Sequence, residues 1–484
     1  MKIKDILYPG EYTLCSIDPN TEISGICYDP TMLNDGEILI VLTPDKLKGI
    51  HLPCMPAAVI CSENAILPDN IPRIFVENTR LAFSYACYRY NKIKGKMPKM
   101  IAVTGTNGKT TTASVIKQIL ETCGMRVGFI STGRIEINGV DITPSNYSMT
   151  TPDPPLLYSV ISKMQIEACD VIIMEASSHA LALDKLAPLK FDYGVFTNLS
   201  SEHLDFHRDM DQYFGAKLKL FSSCKSGIFN VDDYYGRRAY DRVECNKTSV
   251  GILHSADVYA TGINLHGFEG SDYIYHGRNF YFKANIPLPG AYNIYNSLLA
   301  STVCIDMGCK PCDVKNALSR LKPIKGRCEI INHEIKVIID YAHTSEAFES
   351  ILRELSRAKE GGKLSVVFGC GGNRDRGKRP RMASISEKYA DNIILTSDNS
   401  RNEDPKEIIA DVIKGFNLGR YSVIENRKEA IHHAILSSNK GDVVAIIGKG
   451  PENYNIDSTG YHYFNEREII HDALNQRYGK SKCE

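Results

Sequence analysis

One short segment constrains the fold of this chain more than any other. The apolar run Met100–Thr104 leads into the glycine-containing loop Gly105–Thr112, and an amphipathic pattern follows over Ala113–Cys123. This order predicts a buried strand, a tight loop and a helix, which is the local layout of a nucleotide-binding α/β domain. We therefore expect an α/β fold built around a mostly parallel sheet.

The loop itself has the chemistry of a phosphate-binding turn. Gly105 and Gly108 allow a tight turn whose backbone N–H groups can point at phosphate oxygens, and the following helix adds a partial positive charge. Lys109 can reach terminal phosphates, and Thr110 or Thr111 can offer a hydroxyl to Mg²⁺. The loop departs from the standard G-x-x-x-x-G-K-[ST] pattern only at the first glycine. The expected nucleotide-binding residues are Gly105, Thr106, Asn107, Gly108, Lys109, Thr110 and Thr111.

The length of 484 residues corresponds to roughly three domains. The hydrophobic pattern breaks near Asn91–Lys99 and again near Leu321–Arg327, where proline and glycine occur. We expect a small N-terminal α/β substrate domain over 1–95. A central P-loop ATPase-type doubly wound domain follows over 96–325, and a C-terminal Rossmann-like α/β domain over 326–484.

Other short apolar runs predict the remaining strands, and longer periodic segments predict helices. Residues 240–290 are expected to be β-rich and irregular. The predicted strands are Glu37–Leu42, Ala57–Cys61, Val127–Ile130, Val171–Glu175, Tyr193–Thr197, Val337–Asp340, Leu364–Gly369, Asn392–Thr396 and Val443–Ile447. The predicted helices are Arg80–Tyr90, Gly290–Met307, Glu346–Lys359 and Pro405–Gly415.

Charge and composition exclude several classes of partner. Lysine plus arginine and aspartate plus glutamate each number 57, so the chain lacks the basic excess of proteins that bind nucleic acid or anionic membranes. No apolar run reaches the roughly 18–20 residues of a membrane span, and the first residues do not resemble a signal peptide. The fifteen cysteines are scattered, which favours reduced thiols. We expect a cytoplasmic protein.

Three further segments carry groups suited to a metal site. Glu175 ends an apolar strand, and a carboxylate at that position suits Mg²⁺ binding in a doubly wound sheet. The second segment contains His203, and the third ends at Lys217. Taken singly, such a histidine or lysine is more often structural or solvent-exposed than functional.

Together and in order, these segments resemble the Mur ligase family of ATP-dependent, amide-forming enzymes, and within it the UDP-N-acetylmuramoyl-tripeptide synthetase branch. The resemblance rests on GTNGKTT at 105–111, TTPD at 150–153, EASSHAL at 175–181, FTNLSSEHLDFH at 196–207 and YFGAK at 213–217. It implies a catalytic group of Lys109, Glu175, His203 and Lys217. It also implies that Thr110, Glu175 and His203 bind Mg²⁺, and that CO₂ converts Lys217 to a carbamate that serves as a further metal ligand.

Later segments extend the resemblance to the nucleotide. GAYNIYN at 290–296, the Gly326-Arg327 pair and DYAHTS at 340–345 are similar to family segments near ATP. The resemblance implies that Asn296 lies near the adenine, that Arg327 touches the nucleotide and that His343 lies beside ATP. Asp340 could bond ribose hydroxyls, because a carboxylate at a strand end is well placed for that contact.

Three C-terminal segments resemble the family's amino-acid site: FGCGG with the basic run NRDRGKRPR at 368–381, SDNSRNEDP at 397–405 and GKGPE at 448–452. Arg401 could bind a distal carboxylate with two parallel hydrogen bonds, which favours diaminopimelate over lysine. Glu452 would hold an ammonium group. The expected substrate-binding residues are Thr150, Thr151, Asp153, Ser177, Lys185, Arg374, Asp398, Asn399, Arg401, Gly448 and Glu452.

The resemblance implies a ligase that adds a diamino acid, meso-diaminopimelate, to UDP-MurNAc-L-Ala-D-Glu through an acyl phosphate, in peptidoglycan precursor synthesis. Its partners would be small molecules, and we expect a monomer. Three alternatives stay open. Asp29-Pro30-Thr31 replaces a D-S-R segment of the family, so the acceptor could be another nucleotide-linked compound such as a pseudomurein precursor. The added amino acid could be lysine, or the protein could bind nucleotide without catalysis.

Overall fold

The computed structural model describes residues 1–7, 10, 12–15, 17–43, 52–67, 70–93, 95–145 and 147–479. The chain divides into two compact units. Unit 1 comprises Met1–Thr104, Met125–Gly194 and Ala216–Ser226, and unit 2 comprises Gly105–Gly124, Val195–Gly215 and Gly227–Glu484.

Helices and strands alternate along most of the chain. The helices are α1 (Ile3–Ile6), α2 (Thr79–Tyr90), α3 (Lys109–Thr122), α4 (Pro154–Ile166), α5 (Ser178–Ala182), α6 (Leu204–His207), α7 (Met210–Leu218), α8 (Tyr234–Arg242), α9 (Ala291–Asp306), α10 (Pro311–Leu318), α11 (Ser345–Ala358), α12 (Lys378–Tyr389), α13 (Pro405–Ile413), α14 (Arg427–Ser437) and α15 (Glu466–Tyr478). The strands are β1 (Tyr12–Cys15), β2 (Gly25–Cys27), β3 (Glu37–Ile40), β4 (Ala58–Cys61), β5 (Arg73–Val76), β6 (Lys99–Thr104), β7 (Val127–Ser131), β8 (Arg134–Ile137), β9 (Val140–Asp141), β10 (Val171–Glu175), β11 (Phe191–Phe196), β12 (Cys224–Asn230), β13 (Asn246–Gly251), β14 (Val258–Leu265), β15 (Ser271–His276), β16 (Tyr281–Ile286), β17 (Glu329–Asn332), β18 (Lys336–Asp340), β19 (Leu364–Phe368), β20 (Asn392–Leu395), β21 (Ser422–Val423), β22 (Val443–Ile447), β23 (Tyr454–Asp457) and β24 (Gly460–Tyr463).

Unit 1 begins with a five-stranded sheet in the order β1-β5-β4-β3-β2. Strands β2 to β5 are parallel to their neighbours, and β1 pairs antiparallel with β5 at one edge. Helix α2 begins at the cap residue Asn78, whose side chain accepts a hydrogen bond from the backbone N–H of Leu81. The apolar side chains of β3 and β4 form the core of this part, with Leu39 and Val59 fully buried.

A second set of strands in unit 1 runs in the order β6-β10-β7-β8-β9. Strand β10 is parallel to both β6 and β7, whereas β8 and β9 continue as antiparallel neighbours. All five residues of β10 are buried, as is typical of a parallel strand covered on both faces. Its last residue, Glu175, pairs with Val103 of β6, so the carboxylate stands at the carboxyl end of the sheet.

Unit 2 contains α3, the helix that follows the phosphate loop. Helix α3 packs against α9. Strand β13 is parallel to β14, and β14, β15 and β16 continue as an antiparallel meander. Tyr273 of β15 is fully buried, and its hydroxyl lies 2.8 Å from the hydroxyl of Ser297 on α9. This hydrogen bond ties the meander to the helix that carries Asn296.

The largest sheet of unit 2 has the order β17-β18-β22-β19-β20-β21, with only β17 antiparallel to its neighbour. Alternate side chains of its central strands point to opposite faces. One face packs against α11, α12 and α13, and the other packs against α14 and α15. Apolar residues therefore fill both layers, and the loops after β18, β22, β19 and β20 meet at one edge.

The α/β fold class expected from the sequence is confirmed, and the predicted strands lie within two residues of the observed ones. Helix α3 begins at Lys109 rather than Ala113, because Gly108 takes a left-handed φ of 83° and the helix starts directly after it. The thirteen cysteines whose side chains the structure describes are free thiols. In the same described part of the chain, every helix is too short or too polar to cross a membrane. The three-domain boundaries stay a prediction.

Replacing Ile338 with alanine tests the core of the large sheet in unit 2. Ile338 lies on β18 and is completely buried, so its truncation should lower the free energy of unfolding by about 2–5 kcal/mol. Leu418→Ala is the control, because that side chain is 61% exposed and should change stability by less than about 0.5 kcal/mol. Urea unfolding of both variants measures the difference, and equal midpoints would contradict the assignment of Ile338 to the core.

Candidate active site

The phosphate loop is shaped by two glycines with positive φ, 143° at Gly105 and 83° at Gly108. A Cβ on Gly105 would overlap the Thr197 hydroxyl, and a Cβ on Gly108 would lie 2.6 Å from Oδ1 of Asn296. Both positions therefore combine a backbone conformation that favours glycine with a lack of space for a side chain. The segment FTNLS supplies part of the wall that surrounds the loop.

Hydrogen bonds fix the remaining loop residues. The backbone N–H of Thr106 donates to the carbonyl of Asn198 at 2.9 Å, and the N–H of Asn107 donates to Oδ1 of the same residue at 2.9 Å. The Thr106 hydroxyl also lies 3.1 Å from the Tyr213 hydroxyl. The two segments that sequence analysis related to phosphate and metal binding are therefore in direct contact.

The cationic side chains of this site lie close to the loop. Lys109 Nζ donates to the carbonyls of Gly105 at 3.0 Å and Thr106 at 2.7 Å. Arg327 Nη2 donates to the Thr110 hydroxyl at 2.9 Å, and its guanidinium lies 4.5 Å from the centre of the Tyr341 ring. The structure thus brings Lys109, Thr110 and Arg327 together, although Arg327 is more than two hundred residues away in the chain.

Asn296 and Asp340 both form hydrogen bonds with other groups of the protein. Asn296 accepts a hydrogen bond from the Thr112 hydroxyl at 3.2 Å, which places it against α3. Asp340 is half-buried, and its two carboxylate oxygens accept from the backbone N–H groups of Cys328 at 2.6 Å and Ala342 at 2.7 Å. Burial raises the pKa of Asp340, while Arg327 and these two N–H groups oppose the rise.

Glu202 lies between two histidines of the predicted site. One oxygen is 2.7 Å from Nε2 of His343, and the other is 3.6 Å from Nε2 of His203. Burial opposes ionisation of this carboxyl, but His343, His203 and Lys109 together hold the pKa of Glu202 well below its usual range. The Glu202 carboxyl group therefore lies near both imidazoles and within hydrogen-bond distance of His343.

The loops after β20 and β22 form a second group in unit 2. Asn399 Nδ2 donates to Oε2 of Glu452 at 2.9 Å, while Asn399 Oδ1 accepts from Nζ of the buried Lys449 at 2.9 Å. The Tyr341 hydroxyl donates to the other oxygen of Glu452 at 3.3 Å. Burial raises the pKa of Glu452, and Lys449 counteracts this effect. Asp398 lies 3.9 Å from Lys449.

Arg401 faces the glycine loop that follows β19. Its Nη1 donates to the carbonyls of Gly372 at 2.9 Å and Asn399 at 3.2 Å. Burial lowers the pKa of Arg401, and the neighbouring Arg374 lowers it further. Two guanidinium groups at one location create a positive field that suits an anionic ligand. One cleft is lined by Arg374, Arg401, Asp398, Asn399, Gly448 and Glu452, together with His203 and His343.

Unit 1 holds the other predicted site residues. Glu175 is completely buried, and its Oε1 accepts hydrogen bonds from the Ser131 hydroxyl and from the Thr132 N–H at 3.0 Å. The Thr132 hydroxyl in turn lies 3.0 Å from that of Thr150, and Thr151 donates to the Glu175 carbonyl at 2.8 Å. The TTPD segment and the strand-end carboxylate therefore form one hydrogen-bonded group.

Three more residues complete the predicted set in unit 1. The Ser177 hydroxyl caps α5 and lies 3.3 Å from that of Thr151. Lys185 Nζ lies 2.7 Å from Oδ1 of Asp153, which is an ion pair. Lys217 is only 1% exposed, which is rare for a lysine because burying an ammonium group is unfavourable.

Comparison with known proteins shows the family to which the chain belongs. Residues 103–304 match the Mur ligase middle domain, and residues 326–450 match the domain described as "Mur ligase, glutamate ligase domain". The UDP-N-acetylmuramoyl-L-alanyl-D-glutamate–2,6-diaminopimelate ligase 1 of Clostridium acetobutylicum is 36% identical, over 99% of this chain and 100% of that relative. The chain belongs to the Mur ligase family. It is accordingly an ATP-dependent, amide-bond-forming ligase, as the sequence resemblance implied.

Solved structures give the same result for the fold of this Mur ligase. A UDP-N-acetylmuramoyl-L-alanyl-D-glutamate–2,6-diaminopimelate ligase aligns with a TM-score of 0.67 and 26% identity, over 99% of both chains. A pseudomurein peptide ligase type C from Methanothermus fervidus aligns with a TM-score of 0.60 and 20% identity, over 79% of this chain and 80% of that one. The second likeness concerns the fold alone.

Sequence reasoning missed several residues of this Mur ligase that touch the predicted set. Glu202, Tyr341 and Lys449 were part of recognised segments, but their contacts depend on residues distant in the chain. Arg379 is a similar case, because it belongs to the recognised basic run 373–381 but was not among the predicted site residues. It is buried in α12 and donates to Glu403 at 2.9 Å. For Lys449, the available signal was a charged residue inside an apolar, glycine-containing run.

Gly105→Ala tests the phosphate loop of this Mur ligase. The substitution should weaken ATP binding by about tenfold or more, because the new Cβ requires both a strained φ and displacement of Thr197. Gly124→Ala is a matched control that follows the same helix. Gly124 also has a positive φ of 82°, but a Cβ added there would meet no atom within 4 Å. Calorimetric titration with ATP measures both variants, and equal affinities would contradict the role of the loop.

Proposed function

We propose that this Mur ligase joins meso-diaminopimelate to UDP-MurNAc-L-Ala-D-Glu in peptidoglycan precursor synthesis. The observation that carries the proposal is the 36% identity to a 2,6-diaminopimelate ligase over essentially the whole length of both chains. The cleft with Arg401, Arg374 and Glu452 supports it, because these side chains offer two cations and one anion to an amino acid that has charged groups at both ends.

In the proposed reaction, a carboxylate oxygen of the acceptor attacks the γ-phosphorus of ATP, and the bond to the ADP oxygen breaks. The amine of the incoming amino acid then attacks the acyl phosphate carbonyl, loses a proton, and phosphate leaves with the bonding electron pair. Gly105–Thr111 would bind the ATP phosphates through backbone N–H groups. Lys109 would offset negative charge on the phosphoryl group during its transfer.

Magnesium is the metal that the resemblance implies. In the described part of the chain, no cluster of three or more His, Cys, Asp or Glu side chains could hold a metal ion by itself. Mg²⁺ usually binds through one or two carboxylates, water and substrate phosphates. Glu175, His203 and the Thr110 hydroxyl are the proposed protein ligands. Bound Mg²⁺ would neutralise charge on the phosphates.

Lys217 is the proposed carbamate site. The side chain is almost fully buried, which is rare for a lysine. Addition of CO₂ to the neutral amine, with loss of a proton, would give an anionic carbamate whose oxygens suit Mg²⁺. The burial of the side chain is the observation that supports this assignment.

The amino-acid pocket accounts for the proposed choice of substrate. Glu452 accepts from Asn399 and Tyr341 and would bind the ammonium group of the incoming amino acid. Arg401 would bind the distal carboxylate of diaminopimelate, a group that lysine lacks. Asp398, Gly448 and Arg374 would complete the pocket.

The acceptor would be bound by residues of unit 1. Thr150, Thr151 and Ser177 present neighbouring hydroxyls beside the Glu175 strand end, and Lys185 is held by Asp153. Such hydroxyl groups suit the amide and carboxylate groups of a peptide. Lysine as the added amino acid, another nucleotide-linked acceptor and a non-catalytic nucleotide-binding protein are the alternatives. We also propose that the protein is cytoplasmic, which the free thiols of the described residues support, and that it is a monomer.

One assay separates these alternatives. Phosphate release is measured with ATP and UDP-MurNAc-L-Ala-D-Glu in the presence of meso-diaminopimelate, L-lysine or L-ornithine, and the product mass is determined. We expect phosphate release that requires both the acceptor and diaminopimelate. Incorporation of lysine instead would refute the proposed amino acid, and absence of any product from this acceptor would favour a different nucleotide-linked substrate.

Lys109→Ala tests the phosphoryl-transfer step. Loss of this cation should slow phosphate release by about a hundredfold or more, because no other residue of the loop carries a positive charge. Lys117→Ala serves as a control on the same helix, since Lys117 forms an ion pair with Glu121 at 3.0 Å. Near-normal turnover by the Lys109 variant would rule out the proposed mechanism.

Arg401→Ala tests the choice of amino acid. The variant should lose about 10- to 100-fold in kcat/KM for diaminopimelate, because a charge-assisted pair of hydrogen bonds is removed. Its weak use of lysine should stay within about twofold, since lysine offers no partner to Arg401. The exposed Arg420→Ala variant provides the control. Equal losses for both amino acids would show that Arg401 does not recognise the distal carboxylate.

A further inference from the structure

A buried arginine outside the predicted site connects the two loops of the amino-acid pocket. Arg427, the first residue of α14, is 2% exposed. Its Nη2 donates to the carbonyl of Ile447 at 3.0 Å, and its Nη1 donates to the carbonyl of Ser397 at 3.4 Å. One guanidinium therefore binds backbone carbonyls at the carboxyl ends of two separate strands, β22 and β20.

These two carbonyls lie at the ends of strands that are not neighbours in the sheet. Ile447 is the last residue of β22, and Ser397 follows the end of β20, while β19 lies between the two strands. No ladder hydrogen bond can join β20 to β22 directly. The loop after Ser397 carries Asp398 and Arg401, and the loop after Ile447 carries Glu452.

The charge of Arg427 is balanced within the same layer. Its Nε donates to Oε1 of Glu466, the first residue of α15, at 2.7 Å, and Glu466 is 2% exposed. Asp398 Oδ2 is 4.0 Å from Arg427 Nη1. The rigid fork of an arginine suits this task, because its donors lie in one plane at fixed separations. A lysine offers no such fixed geometry.

We propose that Arg427, held by Glu466, is a positioning residue that sets the spacing between the two loops of the amino-acid pocket. Asp398 and Arg401 on one loop and Glu452 on the other must bind opposite parts of one substrate. Their separation then determines the affinity for the diamino acid. This inference rests on the proposed function, since it assigns a determinant of the same pocket.

The test removes both charges, because truncating either side chain alone would leave its buried partner without a hydrogen bond. The double variant Arg427→Met/Glu466→Leu is compared with the wild-type enzyme in the ligase assay. We expect KM for meso-diaminopimelate to rise about tenfold, while KM for ATP changes by less than about twofold. Unchanged KM values would overturn the proposal, and so would an equal rise in both.

Arg477→Met is a matched control for general loss of stability. Arg477 lies on α15, and its Nη1 donates to the carbonyls of Ile435 at 2.7 Å and Leu436 at 2.9 Å. It thus also binds two backbone carbonyls, but neither belongs to the pocket loops. This variant should lower Tm without a selective rise in KM for diaminopimelate. A selective rise in the control would overturn the assignment to Arg427.

If the double variant does not fold, Glu466→Gln provides the test. The amide oxygen can still accept from Arg427, but the guanidinium loses its neutralising charge and is held less firmly. KM for diaminopimelate should rise by about threefold with KM for ATP unchanged, and no selective change would overturn the proposal. Wild-type activity separates this inference from the proposed function, because a wild-type enzyme inactive on diaminopimelate would refute the latter.

Discussion

Parallel strand pairing is the constraint on which the rest of this site depends. In unit 2, β18, β22, β19 and β20 all point the same way, so their carboxyl ends deliver four loops to one edge of the sheet. Residues separated by tens to hundreds of positions thereby become neighbours. Strand pairing brings these loops together, and the side-chain hydrogen bonds then fix the positions of individual residues within them.

Local segments were predictable from the sequence, and contacts between them were not. The phosphate loop, the strand ends at Glu175 and Asp340, and the helix after Gly108 follow from patterns within about ten residues. By contrast, the pairing of Glu202 with His343 joins residues 141 positions apart in the chain. Short periodic patterns carry no information about such distant partners, so the resemblance identified the segments while the folded structure supplied their contacts.

The net charge of zero conceals a selective arrangement of charge. Arg379, Arg427 and Lys449 are all buried in unit 2, and each lies against at least one carboxylate. Removing a charge from water is costly unless a partner compensates it, so each buried cation requires an anion close by. These pairs lie around the loops of the cleft, so each buried cation is balanced close to where small ligands would bind.

The side-chain amide of Asn399 gives the pocket a fixed polarity. Its oxygen faces two donors, Lys449 Nζ and the N–H of Ile456, while its nitrogen faces Glu452. Rotating the amide by 180° would place its nitrogen against these two donors and its oxygen against the Glu452 carboxylate. An aspartate here would be isosteric, yet it would place two carboxylates against each other, and one would have to bind a proton. The substitution would therefore replace a permanent amide donor to Glu452 with a proton whose presence depends on pH.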